Sequence, residues 1–399
     1  MTNHMKVAFV VPYINIGGVE TFIFQLITEL SKYEIDSYIV VTASKGEWFE
    51  YALRNGFKCH YISPNPFVSL TRHARRVSNY INSNNFSCLF LNNDKILQMA
   101  LQFIDSRIAR FPVVHNDRLE IYNIAFSNSS AWNALITISP KIYNECLLRF
   151  CPEKLCHIPH GVTCKDEVIN QREYSDEFRI IFIGRIEHKQ KGVLFLPEIL
   201  NNCIKVQKNI KLYIVGDGPD RKLLESNLAK NGLQEYCQFF GRVNHSEIRD
   251  ILASCHLLLM PSFYEGFPIV PLEAMACGCV PVLSFLDGIT NAIVSNDEDG
   301  MLVTVGKTVE FARIIIEFDA DRSKWSKFSK ASFLKIRNKY SSQLMGEHYY
   351  NVINSSASRY PMTEIINPQM DYSLMSKGDK IAGIWQLKKL LRYLWNKFK

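Results

Sequence analysis

Short apolar runs alternate along the chain with longer stretches in which apolar residues recur every three or four positions, and they do so in two series. In the first, Val7 to Val11, Ser37 to Val41, Cys59 to Ile62, Cys88 to Leu91, Val113 to Val114 and Ala134 to Ile138 read as strands. In the second, Arg179 to Ile183, Lys211 to Val215, Gln238 to Phe240, Leu257 to Met260, Val280 to Leu283 and Met301 to Thr304 do the same. Runs apolar on both faces, separated by helical patterns such as Phe22, Leu26, Ile27 and Leu30, predict parallel, doubly wound sheets. Between the series, Thr163 to Glu177 is polar, charged and without periodicity, the composition of a domain boundary. The expectation is α/β: a Rossmann-like domain over 1–162, a linker over 163–177 and a second Rossmann-like domain over 178–339. A helix over 340–360 follows, then a linker and tail over 361–399.

The richest chemistry lies in Leu257 to Val282, LLLMPSFYEGFPIVPLEAMACGCVPV, where Glu265 and Glu273 interrupt an otherwise apolar stretch. A helix beginning near Pro268 to Pro271 leaves Gly266 and Phe267 in the turn and the first amides, as far as Ile269, without partners, which is an anion site. Carboxylates on either side of such a site accept hydrogen bonds from hydroxyls, so the ligand suggested is a sugar nucleotide. Glu273 would take the ribose, Glu265 the transferred sugar, and the backbone around Phe267-Pro268-Ile269 the diphosphate. The same spacing also suits an ordinary strand, loop and helix with two solvated glutamates. Gly184-Arg185 ends the first strand of this series and Lys191-Gly192 follows a polar loop, so two cations stand where a diphosphate would arrive, or else serve as solvated loop charges. Gly216-Asp217-Gly218-Pro219 and Gly241-Arg242-Val243 end the next two strands, where a base could lie. In the first series, Gly17 and Gly18 open a helix after a strand and would allow positive φ and close approach of backbone to a ligand. The pattern is not GxGxxG, so the nicotinamide fingerprint is absent. His115, followed by Asn116 and Asp117, ends the Val113-Val114 run at the sheet edge where ligands gather, although a lone histidine there is equally a core or surface residue.

With 399 residues, 47% of them hydrophobic, the chain fills two cores. It has no apolar run of 18 residues and no signal-type apolar core after the polar Met1 to Lys6, so a cytoplasmic location is expected. The eleven cysteines are scattered, and the spacing of Cys146, Cys151, Cys156 and Cys164 fits neither a zinc ribbon nor a disulfide framework. Reduced, mostly buried thiols are expected. Of the net charge of +7, the stretch from Lys377 to Lys399 carries seven Lys or Arg and one Asp, which leaves the body nearly neutral and excludes a nucleic-acid-binding face there. Within that tail, Ile384, Leu387, Leu390, Leu391, Leu394, Trp395 and Phe398 fall on one helical arc, with Lys388, Lys389, Arg392 and Lys397 mostly opposite. This basic amphipathic pattern fits an anionic membrane surface, or docking on the body or a partner. Asp319-Ala320-Asp321 reads as a turn between helices rather than a metal-diphosphate motif.

Taken together, the Glu265 to Glu273 string, Gly184-Arg185, Lys191-Gly192 and the Gly17-Gly18 loop resemble the retaining, nucleotide-sugar-dependent glycosyltransferases of the two-Rossmann-domain (GT-B) type, group 1 and family-4-like. The likeness runs through most of residues 6–354. It implies an acceptor-binding first domain and a nucleotide-sugar-binding second domain facing across a cleft, with the helix from Tyr340 crossing back to the first. It also implies catalytic roles for Arg185, Lys191, Glu265 and His115, and donor contacts from Gly17, Gly18, Gly184, Gly241, Gly266, Phe267, Pro268, Ile269 and Glu273. Transfer on one face would then let the departing phosphate oxygen accept the acceptor's proton, with no metal and no cofactor. The acceptor implied is a glycan or lipid-linked saccharide of bacterial surface polysaccharide synthesis, met at the inner face of the cytoplasmic membrane. Two departures stand out: His160 occupies the place of an Asn before Gly161, and Asp287-Gly288-Ile289-Thr290-Asn291 lacks the Glu usual in that loop. The alternatives are a sugar-nucleotide epimerase on the same scaffold and a noncatalytic nucleotide-sugar-binding partner of another transferase.

Overall fold

The computed structural model describes residues 5–165 and 176–359. These fall into two units, the first running to Ile158 and resuming at Gly346, the second comprising Pro159–Met345 together with Ser139–Lys141. The expected tail helix of Ile381 to Phe398 and its linker lie outside the described residues, as do 166–175 of the expected boundary.

The first unit is built on seven parallel strands: β1 (Lys6–Val11), β2 (Asp36–Val41), β3 (Lys58–Tyr61), β4 (Cys88–Asn92), β5 (Ala109–Val114), β6 (Leu135–Thr137) and β7 (Leu155–His157), ordered β3-β2-β1-β4-β5-β6-β7. Side chains alternate across a strand, so Ala8 and Val10 join Val40, Leu89 and Leu91 in a core closed by Ala74, Val77 and Ile81 of a helix. On the opposite face Phe9 stacks on Phe90 at 5.1 Å, Phe90 on Phe111 at 5.5 Å, and Tyr349 of the last helix, Ser342–Arg359, meets Phe90 at 5.2 Å. Both faces are covered, which is why these strands read as continuous apolar runs. β5 starts earlier than expected because Arg110 breaks its run; the fully buried guanidinium donates to the carbonyls of Ile104 at 2.8 Å and Ala131 at 3.0 Å. β7 was not among the expected strands, because a three-residue edge strand with an exposed His157 leaves no apolar run to see.

The second unit carries β8 (Phe178–Ile183), β9 (Ile210–Val215), β10 (Cys237–Gly241), β11 (Leu257–Met260), β12 (Val280–Ser284) and β13 (Met301–Val303), all parallel and ordered β10-β9-β8-β11-β12-β13. Phe178, Ile180, Phe182, Ile214, Leu257 and Leu259 form its core with Leu196, Ile199, Phe311 and Ile315 from helices. In each sheet the strand order reverses next to the unit's first strand, between β1 and β4 and between β8 and β11. Loops diverge at such a point and leave a crevice outside the carboxyl ends. Helices Thr308–Ala320 and Arg322–Lys339 meet at Asp321, which accepts the N–H of Lys324 at 2.9 Å, while Asp319 pairs with Arg322 at 2.8 Å; the Asp-x-Asp is the expected interhelical turn. All eleven cysteines are free, and Cys151 is exposed. Among the described residues no helix is long and apolar enough to cross a membrane.

Candidate active site

At the reversal in the second sheet, the loops leaving β8 and β11 lie side by side although 74 residues separate Lys191 from Glu265. Phe263 N–H donates to the Gln190 carbonyl at 2.8 Å. Gly192, at φ +64°, abuts the Pro261 carbonyl so closely that a Cβ would sit 2.0 Å from its oxygen, and only glycine satisfies both conditions. The result is one polar knot. Lys191 Nζ donates to Glu265 Oε1 at 2.7 Å, and Ser262 Oγ donates to the same oxygen at 2.7 Å. The Glu265 side chain is 6% exposed and that of Lys191 20%, so the two ions are largely withdrawn from water and each depends on the other. Removing one partner of such a pair strands a buried charge, at a cost of about 3–5 kcal/mol. The sequence assigned Lys191 and Glu265 to different parts of a ligand, whereas the fold joins them directly. An ammonium has three donors, so Lys191 can hold Glu265 and still face an anion.

The helix after this knot spans Ile269–Ala276, with Pro268 as its extended N-cap. Phe267 is buried, its ring 6.1 Å from that of His160 and 6.0 Å from that of Tyr340. Among the described residues, the N–H groups of Gly266, Phe267 and Ile269 make no hydrogen bond. Beside a helix N-terminus they are ready-made anion donors. Glu273 is half-buried in the second turn. Arg185 stands apart from the knot, two-thirds exposed, its guanidinium 3.8 Å from the Glu187 carboxylate. Along the rest of the edge, β8, β9 and β10 each run into a glycine with positive φ: Gly184, Gly216 and Gly241. Gly184 N–H donates to Val215, Gly216 N–H donates to Gly241, and a Cβ on Gly216 would lie 2.0 Å from the Gly184 carbonyl oxygen. The carboxyl edge there is bare backbone. In the loop after β12, Thr290 Oγ1 donates to the Ser284 carbonyl at 2.8 Å and accepts from Leu286 N–H at 2.7 Å, so a buried hydroxyl closes the turn that lacks the usual Glu.

In the first unit, His115 follows β5 and is buried. Its Nε2 lies 2.8 Å from Asn92 Oδ1 at the end of β4. The Asn92 amide nitrogen donates to the Phe90 carbonyl at 3.1 Å, which turns its oxygen to the histidine and makes Nε2 the protonated nitrogen. The His115 ring also meets the edge of Phe22, on the helix that Gly18 opens, at 5.2 Å. The expected positive φ at the glycine pair is corrected: Gly17 is extended at φ −177°, and Gly18 is the first residue of the helix Gly18–Ser31. A Cβ at 17 would sit 2.9 Å from Glu20 Oε2, so a larger residue there would have to displace that carboxylate. Glu20 is itself buried, accepts Asn15 N–H at 3.0 Å, and has its pKa raised by desolvation. Sequence reasoning passed over Ser262, Asn92 and Glu20. Ser262 and Asn92 signal only by their position at or just past a strand end, and Glu20 only by its place in the first turn of the helix after the glycine pair.

Residues 165–334 match the family profile described as glycosyl transferases group 1. Over 326 residues the chain is 24% identical to a subunit of the phosphatidylinositol N-acetylglucosaminyltransferase of Arabidopsis thaliana, spanning 74% of this chain and 72% of that one. Over 334 residues it is 25% identical to a Campylobacter jejuni enzyme, the GalNAc-alpha-(1->4)-GalNAc-alpha-(1->3)-diNAcBac-PP-undecaprenol alpha-1,4-N-acetyl-D-galactosaminyltransferase, spanning 77% of this chain and 87% of that one. Among solved structures, Anabaena HepE in complex with UDP and glucose superposes with a TM-score of 0.75 at 19% identity, covering 88% of this chain and all of that one. The lipopolysaccharide outer core galactosyltransferase WaaB gives 0.68 at 18% identity, covering 88% of this chain and 99% of that one. Two parallel α/β sheets with this likeness define a GT-B protein. Residues 165–334 thus carry the group 1 glycosyltransferase profile, and the chain shares its fold with the GT-B enzymes it resembles.

Proposed function

We propose that the protein is a retaining glycosyltransferase that moves a sugar from a nucleoside diphosphate to a glycan or lipid-linked saccharide in the synthesis of a bacterial surface polysaccharide. The observation that carries this reading is the buried Lys191–Glu265 pair beside the unbonded N–H groups of Gly266, Phe267 and Ile269. A carboxylate for a sugar hydroxyl, a cation and helix amides for a diphosphate stand within one loop pair. Glu273 takes the ribose hydroxyls, and the bare edge at Gly184, Gly216 and Gly241 accommodates the rest of the nucleotide. Arg185 and Lys191 meet the charge that grows on the leaving diphosphate, without a metal ion. Because these groups are already oriented, the barrier falls mainly through positioning and electrostatic stabilisation. The departing phosphate oxygen takes the acceptor's proton on the face from which the leaving group departs, so the anomeric configuration is kept.

The relatives support the substrate class: HepE was solved with UDP and glucose, and the Campylobacter enzyme is named for an undecaprenol-linked saccharide. An acceptor on a lipid suits a protein whose tail, after Gly378, is basic and amphipathic, placing the enzyme peripherally on the cytoplasmic leaflet. The test is incubation with a panel of nucleotide sugars and short saccharide acceptors, followed by NMR of the product's anomeric linkage. A new linkage with the donor's configuration is expected. An inverted linkage would refute retention, and a changed sugar nucleotide formed without any acceptor would make the protein an epimerase.

A further inference from the structure

Ser262 lies between the end of β11 and Glu265, and its side chain is fully buried. Serine hydroxyls near helix and strand ends usually turn back to a local carbonyl or amide. This one instead donates to Glu265 Oε1, the oxygen that also receives Lys191 Nζ, each at 2.7 Å. Among the described residues, Oε2 of the same carboxylate accepts no hydrogen bond. Two donors on one oxygen leave the other as the acceptor that faces a ligand.

We infer that Ser262 is a positioning residue that acts through Glu265, an inference that rests on the reading of Glu265 as the sugar-binding carboxylate. The two donors are not equivalent. Lys191 is a long, flexible cation that an arriving diphosphate also attracts, and when its ammonium turns toward that charge its hold on Oε1 weakens. Ser262 is short, buried and anchored on the backbone next to β11, so its hydroxyl stays. It keeps Oε1 satisfied and prevents the carboxylate from swinging after the lysine, so that Oε2 remains aimed at the sugar while charge builds on the leaving group. Lys191 is thereby released to serve the diphosphate.

The test uses the full chain and release of nucleoside diphosphate from UDP-glucose, UDP-galactose, UDP-N-acetylglucosamine, UDP-N-acetylgalactosamine and GDP-mannose, with and without saccharide acceptors. Wild type, Ser262→Ala, Ser262→Thr, Glu265→Gln and the Ser262→Ala/Glu265→Gln double variant are compared on whichever donor turns over fastest. Ser262→Ala is expected to lower kcat about tenfold or more with donor KM changed less than about threefold, because the aim of Glu265 matters most in the transition state. Ser262→Thr, which keeps the hydroxyl, should recover most of the loss. On the Glu265→Gln background the alanine change should add little, since coupled residues are not additive. Wild-type kcat in Ser262→Ala while Glu265→Gln is impaired would overturn the role of Ser262 alone, as would an equal loss on both backgrounds. Unimpaired Glu265→Gln, or no release by wild type from any of these donors, would overturn the reading of the site and this role with it.

Discussion

Replacing His160 by Asn should remove an acid sensitivity from the second unit. The side chain is 3% exposed, and burial pushes its imidazole from the ordinary 6.5 down to about 3. The folded chain therefore holds this histidine neutral across a range in which the unfolded chain protonates it. Stability rises with pH wherever the unfolded state binds more protons, so this group's full contribution is present above pH 6.5 and drains away as pH falls toward 3. The slope is roughly 1 to 1.5 kcal/mol per pH unit, which makes a loss of about 2 kcal/mol between pH 6.5 and 5. Asn does not titrate. Urea denaturation followed by far-UV circular dichroism at pH 7.5 and pH 5.0 measures the effect. Other groups titrate alike in both proteins, so the wild type should lose about 2 kcal/mol more than His160→Asn over that interval. Equal losses in the two proteins would show that the imidazole is hydrated or charge-compensated in solution and would refute the reasoning.

Gly192→Ala should destabilise the second unit by about 2 kcal/mol or more and suppress transfer, because both φ and the Pro261 carbonyl forbid a Cβ. Gly232→Ala, at φ +68° with nothing within 4 Å, is the control and should cost only about 1 kcal/mol in thermal denaturation. Glu273→Ala should weaken donor binding by roughly 1.5 to 3 kcal/mol in calorimetry, whereas Arg185→Ala should cut kcat more than affinity; an unchanged donor affinity would remove Glu273 from the site. Deleting Ile381 to Lys399 should release the protein from anionic vesicles in sedimentation while sparing turnover on a soluble acceptor, each basic residue contributing about 1 kcal/mol at the surface. Full-length protein that stays in the supernatant at low salt would refute the membrane role.

The two sheets were legible because covered parallel strands must be apolar on both faces, and Leu257–Met260 was placed to the residue. Strands with a charge inside them, or too short to form a run, were not: β5 needed Arg110 to find carbonyl partners that sequence does not reveal, and β7 offers three residues of mixed polarity. Glu265 and Glu273 stood out as charges in an apolar stretch, and Arg185 and Lys191 as cations after the first strand of the second series. That Lys191 binds Glu265 rather than waiting separately for a ligand depends on β8 lying next to β11, a pairing set by topology and not by either loop's sequence. Ser262 gave no signal beyond its place just past β11, three residues before Glu265. At the glycine pair the expected positive φ does not occur, since Gly17 is extended and Gly18 helical, and the nearest neighbour of Gly17 is the Glu20 carboxylate.

The glycines that close β8, β9 and β10 give the second unit an uncommon freedom to diversify. Where they stand, the edge presents peptide groups alone, and the first side chains beyond them, Arg185, Asp217 and Arg242, are exposed or half-exposed loop residues outside the core. On the proposed reading, an exchange at Asp217 or Arg242 alters what the edge recognises at little expense in packing, so it avoids the several kcal/mol that a core substitution costs. If the protein binds a nucleotide sugar as proposed, its descendants can shift nucleotide preference by surface substitutions while the scaffold of the second unit is inherited intact.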